Sequence, residues 1–249
     1  MSQSIRERLE YHPAPGVGTS RGAMRRVDRR LAAITRLVDV TGKDVLDLGC
    51  SGGYFSFALA RDARRVFAID GDQAVIDRNR EAAERMGVTN VEFVHAVIRP
   101  ELIEALPSVD VTLFLSVFHH LLTGSEAYDW NDATVVKTAF RSLELLKART
   151  DILVFEMGYP DEGYEWCSRL PRMMPSPRDW IVDRVFGADF PSVQIVESPS
   201  YAGSAAIRRR FHRVARTTTL WGRLMRRMLT IDPRDGRDIF IGSKASAPA

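Results

Sequence analysis

The chain has 249 residues, 45% hydrophobic and 27% charged, with a formal net charge of only +3. That is room for one α/β domain with a full core, or one domain and an appendage. No apolar run approaches the roughly 18 residues that would cross a bilayer. The two cysteines, Cys50 and Cys167, make no disulfide framework or zinc-ligand spacing. The polar start MSQSIRERLE has no apolar signal core, so a cytoplasmic location is expected.

Residues 2–10 suit a short helix with Ile5 and Leu9 on one face. Tyr11 to Gly22 is rich in Pro and Gly and is expected to be irregular, either a lid over a ligand or a plain connector. Val27, Leu31, Ile34 and Val38 recur at helical spacing.

Lys43 to Asp70 reads as strand, glycine turn, helix, strand. Val45, Leu46 and Leu48 suit a strand buried on both faces. Gly49, Ser51, Gly52 and Gly53 form a turn that a ligand can approach closely. Val66 to Ile69 is the second strand, ending in Asp70. An acidic residue about 20 positions beyond such a turn suits the hydroxyls of a ribose. The run Asp47-Leu48-Gly49-Cys50-Ser51-Gly52-Gly53 lacks the G-x-G-x-x-G spacing that seats a pyrophosphate. An acid at Asp47 would repel that group and attract a cation.

Gly71-Asp72 opens a helix reaching about Met86, with Val75, Ala82, Ala83 and Met86 inward and Gly87 as its C-cap. Val91 to Val94 is the third strand. Ala96, Val97 and Ile98 follow and offer a ligand only backbone or apolar contact. Pro100 opens a helix to Leu106. Val109 to Leu115 is a buried strand running into Ser116-Val117-Phe118-His119-His120. Strand C-termini in doubly wound sheets face the ligand crevice, and histidine accepts protons near neutral pH. The pair is therefore a candidate general base, His120 ahead of His119; the alternative is that one ring only packs.

Asp132 suits the cap of a helix with Val136, Ala139/Phe140 and Leu143 as its stripe, ending near Lys147. Ile152 to Phe155 is the fifth strand. Glu156 at its end could hold a substrate hydroxyl or a metal, orient a histidine, or cap a loop. Gly158 to Pro177 is irregular and aromatic, a candidate substrate wall. Arg178 to Phe186 is helical, and Val193 to Val196 and Asp238 to Ile241 are the last strands. Between them an insertion, Ser198 to Arg237, interleaves arginines (Arg208, Arg209, Arg210, Arg213, Arg216, Arg223, Arg226 and Arg227) with Tyr201, Phe211 and Trp221. That suits phosphate or nucleic acid, a sugar, an oligomer arm, or merely a solvated face.

The run from Asp47 to Gly53 resembles motif I of the class I S-adenosylmethionine (SAM) methyltransferases, D-x-G-x-G-x-G, with Ser51 for the middle glycine. Ser116 to His120 resembles motif IV of the same superfamily. The resemblance implies an α/β, Rossmann-like fold with a seven-stranded, mostly parallel sheet, helices on both faces and an antiparallel last strand. It implies a single domain over 1–249: lid and helices at 1–40, a SAM-binding core at 41–157, and a substrate-side half at 158–249 with the basic insertion 198–237. SAM would be held by Asp47, Gly49, Ser51, Gly53, Asp70, Gly71, Val97 and Ser116, leaving S-adenosylhomocysteine as product. His120, His119 and Glu156 would serve catalysis.

The strings LSVFHHL and VFEMG are similar to polysaccharide methyltransferases, the mannan chain-terminating and mycobacterial methylmannose types. Tyr11, His12, Tyr159, Tyr164 and Trp166 would then line a sugar acceptor. The expected reaction is O-methylation of a sugar or oligosaccharide. Another small metabolite, or RNA held by the insertion, is the alternative. No N-P-P-[YF] segment, Pro-Cys nucleophile or Tyr-x-x-x-Lys pair is present. That weakens base-amine methylation, cytosine C5 methylation and nicotinamide oxidoreduction in turn. A divalent metal is left undecided: Asp110, Glu156, Asp161 and Glu162 offer carboxylates without ligand spacing. A homodimer is left open as well.

Overall fold

A computed structural model describes residues 21–123, 133–158, 177–196 and 237–244. Tyr11, His12, Tyr159, Tyr164, Trp166, Cys167 and the insertion up to residue 236 lie outside the described residues. In chain order the elements are α1 (Arg21–Leu37), β1 (Asp44–Leu48), α2 (Tyr54–Leu59), β2 (Arg65–Asp70), α3 (Gln73–Met86), β3 (Val91–His95) and α4 (Pro100–Ala105). There follow β4 (Val109–Leu115), α5 (Phe118–Thr123), α6 (Ala133–Ala148), β5 (Thr150–Glu156), α7 (Pro177–Ile181), β6 (Ser192–Val196) and β7 (Ile239–Ser243). The seven strands form one sheet in the order β3-β2-β1-β4-β5-β7-β6. β1 pairs in parallel with β2 and β4, β2 in parallel with β3, and β7 runs antiparallel to β6. This is the Rossmann-like sheet with an antiparallel last strand that the sequence led us to expect.

The described residues fall into two compact units, 21–115 with 141–154, and 116–123, 133–140, 155–158, 177–196 and 237–244. In the first, β1 is buried at all five positions, as its apolar run requires of a central parallel strand. Cys50, Phe57, Ala68, Ile76, Ala82, Ala83 and Phe93 form a core cluster there. The second unit is built on phenylalanines: Phe155 lies 5.8 Å from Phe118 and 6.2 Å from Phe186, and Phe186 lies 5.6 Å from Phe190. Gly242 of β7 leaves room for them, since a Cβ there would stand 2.4 Å from the Phe186 ring.

Two local expectations are corrected. Helix α1 already includes Arg21 and Gly22, the end of the Pro- and Gly-rich stretch expected to be irregular. Its first turn carries no apolar period to mark it, and it continues on helix-favouring arginines. Met86 is 45% exposed rather than inward. Gly87, at φ 65°, turns the chain so that Val88 donates its N–H to the Ala83 carbonyl and packs against the core cluster instead.

Candidate active site

The first unit holds the glycine turn. The N–H groups of Gly49 and Cys50 both donate to the Ile69 carbonyl, at 2.8 and 3.0 Å, which stitches the end of β1 to the end of β2. The Ser51 N–H donates to Asp70 Oδ2 at 2.9 Å, and the Gly53 N–H to the Cys50 carbonyl at 2.9 Å. Asn79 of α3 donates to the Ser51 carbonyl at 2.7 Å. Gly49, Ser51 and Gly53 all adopt positive φ, 78°, 47° and 74°. A Cβ on Gly53 would stand 2.9 Å from the Phe57 ring and 3.3 Å from Asn79. The N–H groups of Gly49, Cys50, Ser51 and Gly53 are thus engaged within the protein. A turn that seats pyrophosphate offers such donors to its ligand, so this one is unsuited to a dinucleotide.

Its charges suit a cation instead. Asp47 is 3% exposed and its Oδ2 accepts from Ser56 Oγ at 2.6 Å. Burial, with the Asp70 carboxylate nearby, pushes the Asp47 carboxyl up to about 6, against the pull of Ser56 and Arg30. Asp70 is fixed by two backbone donors, Ser51 N–H and Asp72 N–H, the latter to Oδ1 at 3.0 Å. Each carboxylate oxygen can accept more than one hydrogen bond, so the pair of hydroxyls on a ribose is a fitting further partner. Gly71 is open: a Cβ there would come no nearer than 3.9 Å to any neighbour. Val97 is 54% exposed and is the nearest side chain to that Cβ position. Asp47, Gly49, Ser51, Gly53, Asp70, Gly71 and Val97 all fall in this one unit. The donor set fits SAM, whose sulfonium is cationic and whose adenosine carries a diol without phosphate.

The second unit holds Ser116, His119, His120 and Glu156. Ser116, just beyond β4, adopts φ 61°, a left-handed conformation that costs a residue with a Cβ on the order of 1 kcal/mol. Its side chain explains how it is held. Ser116 Oγ donates to Glu156 Oε1 and accepts from Arg237 Nη1 at 2.8 Å, while its N–H donates to the Glu156 carbonyl at 2.7 Å. Arg237 Nη1 also stands 3.8 Å from Glu156 Oε1, with both side chains almost fully buried. His119 is 2% exposed and its Nδ1 accepts the Gly158 N–H at 3.2 Å. Burial first, then His120 and Arg237, hold the His119 imidazole well below its ordinary value. The His120 ring lies 4.2 Å from that of His119 and is exposed.

Ser56, Asn79 and Arg237 are contacts that sequence reading missed. Asn79 left a signal, a lone polar residue on the inward stripe Val75, Ile76, Ala82, Ala83. Nothing in the sequence separates Arg237 from the arginines before it. Among the described residues no group of three His, Cys, Asp or Glu is placed to hold a metal, and no helix is long and apolar enough to cross a membrane. Asp110 instead accepts the Asp44 N–H at 2.7 Å, at the start of the strands.

Known proteins agree with this geometry. Residues 45–143 match the methyltransferase domain family. The O-antigen chain terminator bifunctional methyltransferase/kinase WbdD of Escherichia coli is 31% identical over 172 residues, 66% of this chain and 22% of WbdD. A 23S rRNA (uracil(1939)-C(5))-methyltransferase, RlmD of Alkalilimnicola ehrlichii, is 42% identical over 64 residues, 26% of this chain and 14% of that one. The chain therefore spans under a quarter of the length of these relatives. The crystal structure of monomeric WbdD shares the fold with a TM-score of 0.58 at 23% identity, covering 89% of this chain and 42% of that one. The YcgJ protein of Bacillus subtilis does so with a TM-score of 0.51 at 15% identity, covering 88% of this chain and 100% of its own. Strand order, the turn at 47–53 and the match of residues 45–143 to the methyltransferase domain family together support the resemblance to the class I methyltransferases, a family that implies SAM as cofactor.

Proposed function

We propose that the chain transfers a methyl group from SAM to a hydroxyl of a sugar or oligosaccharide. The observation that carries the acceptor class is the 31% identity, over two thirds of this chain, to a protein named as an O-antigen chain terminator. The match to RlmD covers only about a quarter of the chain and lends the RNA reading little.

SAM, when bound, supplies an electrophilic methyl group on a positively charged sulfur. Asp70 orients the ribose, with its own carboxylate fixed by Ser51 and Asp72. Asp47 and Asp70 supply the negative charge that favours a cationic ligand. Gly71 and Val97 leave an open, apolar place for a flat base. His120 would take the proton of the acceptor hydroxyl, and bound SAM would supply the methyl group. A positioned base contributes about 10²–10⁴-fold, and alignment of the reacting atoms several kcal/mol more. Tyr11, His12, Tyr159, Tyr164 and Trp166 supply rings for a sugar face. Ser116 and Glu156 brace the start of α5, which carries the histidines.

The test is transfer of labelled methyl from SAM into host extract separated into glycan, small-metabolite and RNA pools. Label in the glycan pool supports the reading. Label confined to small metabolites or RNA replaces the acceptor class.

A further inference from the structure

The two adjacent histidines do not have equivalent surroundings. His119 accepts the Gly158 N–H at Nδ1, at 3.2 Å, and both residues are buried. A neutral imidazole that accepts at one nitrogen carries its proton on the other, so His119 is the Nε2–H tautomer. Protonation would put a second hydrogen on Nδ1, facing the Gly158 N–H. That buried donor would lose its acceptor, and buried orphan donors are costly. The new charge would also sit in a dry interior near the Arg237 guanidinium, whose field already opposes it. Burial, backbone and Arg237 thus act in one direction.

Arg237 is itself held. Its Nη1 donates to Ser116 Oγ at 2.8 Å and stands 3.8 Å from Glu156 Oε1. Ion pairs this deep are often replaceable by apolar side chains without loss of stability, so stability alone gives little reason for a buried arginine here. Among the described residues, His120 and Arg237 act on the His119 ring alongside burial, and Glu156 stands beside Arg237. His120 lies on the exposed side.

We infer that His119 is a tautomer-locked hydrogen-bond donor and not a proton acceptor, and that Arg237 is the positioning residue that keeps it so. This rests on the reading above that the pair serves acceptor chemistry, but its test needs neither SAM nor an acceptor. In that way its failure and the failure of the methyltransferase reading are told apart.

The experiment is long-range ¹H–¹⁵N correlation of the histidine rings in the full chain, between about pH 5.5 and 8.5, where an ordinary histidine titrates. The His119 ring is expected to show the neutral Nε2–H pattern throughout. An Nδ1–H pattern for His119, or a His119 ring that takes up a proton within this range, overturns the inference. Arg237→Met removes the opposing charge and leaves Glu156 uncompensated, so the His119 ring is expected to take up a proton at higher pH than in wild type. Arg237→Lys is expected to restore the wild-type pattern. A His119 ring that behaves identically in wild type and in folded Arg237→Met removes Arg237 from the account. If Arg237→Met does not fold, the wild-type spectrum and Arg237→Lys still decide the tautomer.

Discussion

The backbone N–H of Ser51 donates to the Asp70 carboxylate, so the residue that replaces glycine in the turn is bonded to the residue assigned to the ribose. Ser51 holds this place at φ 47°. Left-handed backbone costs a side chain about 1–2 kcal/mol, whereas glycine loses more chain entropy on folding. Ser51→Gly is therefore expected to change stability by less than about 1 kcal/mol and to keep SAM affinity. Ser51→Val, β-branched at positive φ, is expected to cost about 2 kcal/mol or more. Urea melts of both variants check this.

Asp47 and His119 give opposite pH dependences. The folded pKa of Asp47 is raised from 3.8 to about 6. The folded state then binds more protons than the unfolded chain in that window, and stability falls as pH rises from about 4 to about 6. The difference is on the order of 3 kcal/mol. Asp47→Asn is expected to stabilise the protein at pH 8 while weakening SAM binding. Melts at pH 5 and pH 8 with SAM titrations read both effects. A variant less stable at pH 8 would contradict the assignment.

His119 is depressed well below 6.5 by burial. The unfolded chain takes up a proton at this site that the folded chain refuses, so this contribution is intact above about 6.5 and is lost as pH falls below it. His119→Gln is expected to flatten the acid side of the stability profile. His120→Gln is expected to lower turnover by about 10²-fold or more with SAM affinity intact.

Gly242 tests the packing of the second unit. A Cβ there would meet Phe186 at 2.4 and 2.5 Å and Phe190 at 3.0 Å. Rings locked in an aromatic cluster cannot give by that much, and overpacking costs about 1–3 kcal/mol. Gly242→Ala is expected to lower the melting temperature by several degrees. An unchanged melting temperature would show that the rings have room to move.

What could be read from the sequence follows the range of the interactions. Asp72 and Gly87 were legible as helix signals, and they cap α3 by bonds to residues two to four positions away. The strands were legible because central parallel strands are apolar on both faces. Asp70 could be placed because its distance from the turn is fixed by one strand–helix–strand unit. Met86 was misjudged because period alone does not tell which residue beside a C-cap turns inward. The Ser116, Glu156 and Arg237 cluster joins residues up to 121 positions apart, and no local pattern encodes such a contact. The two histidines were visible as a pair, but the Gly158 N–H that makes them unequal is a tertiary feature.

The most direct measurement of the central claim is a calorimetric titration of SAM, S-adenosylhomocysteine and NAD into wild type and Asp70→Ala. The account expects SAM and S-adenosylhomocysteine to bind wild type, and Asp70→Ala to bind both at least roughly 10-fold more weakly, as for loss of charged hydrogen bonds. NAD is expected not to bind, because the N–H groups of Gly49, Cys50, Ser51 and Gly53 are engaged within the protein. Binding of NAD in place of SAM, or SAM affinity unchanged in Asp70→Ala, would contradict it.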